Sequence, residues 1–188
     1  MKSKMIKKYG SAFLDGYKPA ILVERTSKNL PLLKEYPFCE YNERLLLFFQ
    51  SEKEKNQYLH QAKELKINSY EENRLLGLTL GYPEKSVEFF SQNNEIEKET
   101  GELPNRDIEI GMTWAGFWFS TSLEILEHEA RWLWETYTHP KAIENPMYFW
   151  SDKDDTYLSV PYGDYDRLRK VREYIMQQRG LLPTATNK

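Results

Sequence analysis

Apolar and polar positions along the chain alternate on the two periods that mark short strands and amphipathic helices. Ala20-Ile-Leu-Val-Glu24 reads as a short strand, and Arg44-Leu-Leu-Leu-Phe-Phe49, apolar at every position after the arginine, reads as a second one, central in its sheet. Between them, Leu30-Pro-Leu-Leu-Lys-Glu-Tyr-Pro37 fits a helical turn closed by proline. Asp107-Ile-Glu-Ile-Gly111 alternates and Thr113-Trp-Ala-Gly-Phe-Trp-Phe-Ser120 is read as a second strand of the same kind, which predicts a hairpin turning near Gly111. On that reading one face of the second strand carries Trp114, Gly116 and Trp118, and the other carries Ala115, Phe117 and Phe119. Two more strands, Met147-Tyr-Phe-Trp150 and Thr156-Tyr-Leu-Ser-Val160, flank the polar turn Ser151-Asp-Lys-Asp-Asp155.

Helix starts are marked by Ser or Thr followed three residues later by Glu, at Ser51/Glu54, Ser69/Glu72 and Thr121/Glu124. The first helix turns Tyr58, Leu59, Ala62 and Leu65 inward, and the second runs through Leu75, Leu76, Leu78 and Leu80 to Gly81. Gly81-Tyr82-Pro83 ends that helix and opens another bearing Val87, Phe89 and Phe90. Asn93 to Arg106, polar and acidic with Gly101 and Pro104, reads as an exposed loop. Leu123, Leu126, Ala130, Leu133, Trp134 and Tyr137 form a helical stripe that stops at His139-Pro140. A last helix, Asp164 to Arg179, faces Leu168, Val171, Ile175 and Met176 inward, and 181–188 reads as a loose tail. The expected architecture is α+β, a single domain over 1–188 with one mainly antiparallel sheet of about four to five strands packed against about five helices.

Composition narrows the class. A chain of 188 residues buries about 70% of its unfolded surface without disulfide staples, and the lone Cys39 has no partner for one. That points to a reducing, cytoplasmic compartment. The basic segment 1–18 has no unbroken apolar run behind it, so a signal peptide is not expected, and a mean hydropathy of −0.74 argues against a membrane partner. A net charge of −3 argues against a dedicated nucleic-acid binder. Abundant Lys, Asn and Tyr beside scarce Ala fit an AT-rich bacterial or bacteriophage genome. Aromatic residues make up 14% of the chain, with five Trp and thirteen Tyr, more than packing needs, so some rings are expected at a binding surface.

No linear catalytic motif is present: no G-x-S-x-G elbow, Walker loop or G-x-G-x-x-G fingerprint. His128 follows Glu124 by four residues and is expected to pair with it on the surface rather than to hold a metal, and His60 and His139 have no ligand spacing either. Cys39 sits beside Glu40, which disfavours a thiolate. Asp152, Asp154 and Asp155 lack the glycine and glutamate of a calcium loop and read as a hairpin turn. No cofactor, metal or catalytic residue is therefore assigned.

The candidates that remain are rings and cations. Tyr162 and Tyr165 lead into a helix bearing Arg167, Arg169, Lys170 and Arg172, and Trp114 with Trp118 offers a flat platform. The first reading is a non-enzymatic binding protein that holds a small anionic, nucleotide-like ligand between aromatic and Arg/Lys side chains, as a phage protein sequestering an immune signal would. A second is a protein–protein inhibitor or adaptor that uses an aromatic surface and the acidic loop 93–106, with self-association into a homo-oligomer also open. A third is an enzyme whose dispersed site gathers two or more of His60, His128, His139, Cys39 and the acidic residues into one cleft.

Overall fold

The computed structural model describes residues 10–182. Lys2, Lys4, Lys7 and Lys8 of the basic N-terminal segment lie outside them, as does 183–188 of the expected tail, while Leu181 and Leu182 pack on the main core. After helical residues 10–14, the elements are β1 (Ala20–Glu24), α1 (Leu30–Leu33), β2 (Phe38–Glu40), β3 (Leu45–Phe49), α2 (Glu52–Ala62), α3 (Tyr70–Thr79) and α4 (Glu84–Thr100). Then follow β4 (Glu109–Trp114), β5 (Phe117–Ser122), α5 (Leu126–Thr136), α6 (Pro140–Ile143), β6 (Met147–Ser151), β7 (Thr156–Val160) and α7 (Tyr165–Gln178). The class is α+β, but the strands divide into two antiparallel sheets instead of one, of order β1-β3-β2 and β5-β4-β6-β7.

The division follows from side-chain alternation. In β3, Leu47 and Phe49 face Tyr58 and Leu80 while Leu46 and Phe48 face Phe13 and Leu33, so the all-apolar strand is central and covered on both faces. The larger sheet is covered on one face only, where Met112, Trp114, Phe117, Phe149 and Val160 meet Leu126, Ala130 and Leu133 of α5 and Leu168 and Ile175 of α7. The predicted inward stripes of both helices are buried there except for the half-buried Tyr137, whereas Leu59 of α2, expected inward, is exposed.

Three local expectations are corrected. The hairpin turns at Ala115-Gly116, not at Gly111, with Trp114 opposite Phe117. Both turn residues have positive φ, 45° and 90°, the handedness that a two-residue loop needs to match strand twist. Alanine is a poor choice there, and the turn is held from outside: Tyr17 Oη donates to Ala115 O at 2.9 Å and Lys18 Nζ to Gly116 O at 3.3 Å. These bonds also tie the lead into β1 to the other sheet. Second, Asn93–Thr100 is the end of α4, which stops at Gly101 with φ 75° and not at a loop beginning at Asn93. Buried Ser91 and Asn93 hold its inner side, and Asn105 Nδ2 bonds Asn93 Oδ1 at 2.9 Å. Third, Thr121 belongs to β5 and caps nothing, while α5 begins later with no side-chain cap. At Ser51 and Ser69 the serine half of the box is present, each hydroxyl accepting from the N–H of Glu54 or Glu72, while Glu54 accepts from Ser51 Oγ and Glu72 from Asn68 N–H and Tyr41 Oη.

Candidate functional site

Trp114 and Trp118 stand on opposite faces of the larger sheet, because Trp114 precedes the turn and Trp118 follows it. Trp114 is fully buried; its Nε1 donates to Asn145 O at 2.9 Å and its ring stacks on Tyr162 at 6.1 Å and 19°. Tyr162 and Tyr165 also pack on Trp134, with centroids 5.7 and 5.4 Å away, and Tyr162 Oη donates to Trp134 O. The guanidinium of Arg131 lies 4.5 Å from the centre of Tyr165. Trp114, Tyr162 and Tyr165 are thus brought together as the joint between β4 and the start of α7.

Of the predicted cations, Arg167 and Arg172 tie α7 to neighbouring segments, whereas Arg169 stays exposed in a pair within the helix. Arg167 Nε donates to Ser159 O at 3.0 Å on the edge of β7, Arg169 pairs with Asp166 at 3.7 Å, and Arg172 Nε donates to Leu123 O at 2.7 Å. Arg179, with a side chain 3% exposed, binds Asp154 and the carbonyls of Asp107 and Glu109, which fastens the end of α7 across the sheet.

Trp118 belongs to a different constellation. Cross-strand register puts Trp118 beside Thr113, Thr113 beside Tyr148, and Trp150 between Gly111 and Tyr157. All project from the face that α5 and α7 leave open. Trp118 and Trp150 approach to 5.8 Å, and Tyr148 stacks with Tyr157 at 5.5 Å and 25°. Trp150 Nε1 donates to Thr113 Oγ1 at 3.0 Å, which fixes that indole in place. Trp118 is 57% exposed and Tyr157 49%, whereas Phe117 and Phe149 on the other face are fully buried. Tyr148, Trp150 and Tyr157 were not singled out from sequence; the signal was Tyr148 and Trp150 at i and i+2, with Tyr157 in the facing strand.

One end of this face is acidic. Glu109 is half-buried in β4, and the β6–β7 turn carries Asp152, Asp154 and Asp155. Lys153 pairs with Asp107, whose carboxyl it holds below the usual range. Burial opposes ionisation of Asp154, yet hydrogen bonds from Arg179 and Thr156 bring it down to about 2. Packing between the phenols pushes Tyr157 up, through burial first and then the charge of Tyr148.

No family model, curated protein or solved structure matches this chain. Chemistry must be read from the remaining groups themselves. His128 bonds the buried Glu129, Nδ1 to Oε1 at 2.7 Å, and not Glu124 as its spacing predicted. Glu129 turns inward because its other oxygen accepts from the N–H and Oγ of Ser86, both at 2.7 Å. It thereby caps α4, whose N-cap Pro83 makes no side-chain cap hydrogen bond. His139 caps α6 and stacks on Tyr17, His60 is exposed on α2, and Cys39 lies on β2 with its thiol pushed up by burial. Among the described residues no three His, Cys, Asp or Glu side chains group as metal ligands. Nor is any described helix long and apolar enough to cross a membrane.

Proposed function

We propose that this protein is a protein-binding module that docks a basic partner surface on the aromatic face formed by Trp118, Trp150, Tyr148 and Tyr157. The observation that carries the reading is the half-exposed Trp118 on a sheet face where the neighbouring rings are already positioned. Rings fixed on a sheet lose little side-chain entropy on binding, and Ser120, Thr113 and Ser159 between them supply hydroxyls, the mixture that protein-recognition surfaces favour. Glu109 and the acidic β6–β7 turn favour a partner rich in Arg and Lys, which also suits the ring faces. This reading takes precedence over a nucleotide ligand because Arg167, Arg172 and Arg179 are committed to backbone carbonyls.

Photo-crosslinking from p-benzoylphenylalanine substituted for Trp118, with exposed Tyr174 on α7 as the control position, tests the proposal. A discrete protein adduct at 118 that is absent at 174 and weakens with added salt is expected. Equal labelling at both positions, or none at 118, would sink it.

A further inference from the structure

A groove of about 710 Å³ lies on the other sheet's side of the molecule, between α2, α3 and the ends of β1 and β3. That size falls in the small-ligand range of about 300–1,000 Å³. Its floor is apolar, made by Ala20, Phe49, Leu75 and Leu78 with the ring of Tyr58, whose centroid is 5.6 Å from that of Phe49. Its rim is polar and mixed in sign: among the described residues Glu54, Glu71, Gln57 and Gln61 line it together with Arg74, and one oxygen of Glu54 accepts from Ser51 Oγ at 2.8 Å. Arg74 is already held by two carboxylates outside the lining, Glu84 at 2.6 Å and Glu88 at 3.5 Å. Tyr70 on the same wall donates its hydroxyl to Glu88.

An anion entering this groove would meet two carboxylates and a neutralised guanidinium. A cation would meet the same carboxylates beside the half-buried side chains of Leu75 and Leu78, under which the rings of Phe49 and Tyr58 are buried. From this juxtaposition we infer that the groove is a binding site for a small organic cation with an apolar tail, the tail on Leu75 and Leu78 and the charged head at Glu54 and Glu71. The site is separate from the aromatic sheet face and does not depend on it.

Titration calorimetry with octyltrimethylammonium, below its micelle concentration, reads the inference directly, with octyl sulfate as the probe of same tail and opposite charge. Saturable binding of the ammonium is expected, with octyl sulfate at least about tenfold weaker. The exposed pair Glu54→Gln and Glu71→Gln should weaken the ammonium by about five- to tenfold, with a small drop in melting temperature because both carboxylates stand in first helical turns, and with cooperative unfolding kept. Leu78→Trp, which fills the floor, should abolish it. Equal affinity for both probes, no saturable binding, or binding indifferent to the Gln pair in protein that melts cooperatively would each overturn the site.

Discussion

The indole of Trp150 rests directly on Gly111: a Cβ at that glycine would come within 2.2 Å of Trp150 Cε2 and 2.5 Å of Cδ2. The backbone there needs no unusual φ, so glycine is required for space alone. Gly111→Ala should therefore lift the indole, break its bond to Thr113 and cost about 1–3 kcal/mol of stability. Urea unfolding measures the loss, and the Trp150 environment should redden in fluorescence. A variant as stable as the parent would mean that the ring can leave Gly111 freely.

Trp118 presents the opposite case, since its side chain is more than half exposed and covers little. Trp118→Ala and Tyr157→Ala should each change folding stability by less than about 0.5 kcal/mol, while partner binding falls by at least about tenfold if both rings are contact anchors. Comparing denaturation midpoints with bound fraction separates the two effects. A large stability loss would make these rings structural.

How far the sequence reveals this surface depends on two residues at one turn. The strands are legible as short runs rich in aromatic and apolar residues, with clear alternation only in Asp107–Gly111 and in β7. The turn is hidden because Ala115-Gly116 is a weak signal inside the unbroken apolar run Trp114–Phe119; Tyr17 and Lys18, roughly a hundred residues away in sequence, supply the missing stabilisation. A shifted turn moves Trp118 to the other face relative to Trp114, and the expected platform is replaced by one that includes β6 and β7. The cations of α7 were legible as a group, but their commitment to carbonyls of Leu123, Asp107 and Glu109 is a tertiary fact with no local pattern. Similarly, the polar face of α4 hid a helix whose buried side is partly Ser and Asn.

The turn itself can be tested. Ala115 at φ 45° pays a steric cost that glycine does not. Ala115→Gly should stabilise the fold by about 0.5 kcal/mol, the relieved strain exceeding the extra freedom of the unfolded chain. Tyr17→Phe, which removes the bond to Ala115 O, should destabilise by about 1 kcal/mol. Thermal unfolding of the two variants gives opposite shifts on this account; shifts of the same sign would refute it.

Glu129 is 1% exposed and joins three partners, the N–H and hydroxyl of Ser86 and the imidazole of His128. Ser86 Oγ also lies 2.8 Å from Thr121 Oγ1, so the start of α4 is bound to both α5 and β5. Ser86→Ala removes one neutral donor and should cost about 1–2 kcal/mol. Glu129→Leu strands the Ser86 N–H at the helix start as well, and about 3 kcal/mol should be lost. Near-equal losses in the two variants would show that the carboxylate contributes nothing beyond the hydroxyl bond.

Lys18 provides the pH dependence. It is fully buried, with Nζ 4.1 Å from the centre of Phe117 and 4.7 Å from that of Tyr82, and burial pushes its pKa from 10.5 down to about 7. Below pH 7 the amine is charged in both folded and unfolded chains, and the cost of burying that charge is complete. Between pH 7 and 10.5 the unfolded chain holds a proton that the folded one has released. The unfolded state then binds more protons, so stability must rise with pH, by up to about 1.4 kcal/mol per pH unit. Buried phenols bring the rise to an end, since Tyr17 and Tyr137 are pushed from 10 up to about 12 by burial and their contribution is lost above pH 10. Urea midpoints from pH 6 to 9.5 should climb for the parent and stay nearly flat for Lys18→Met. A flat profile in the parent would show that the amine remains charged in the fold, held by its bond to Gly116 O and the two ring faces.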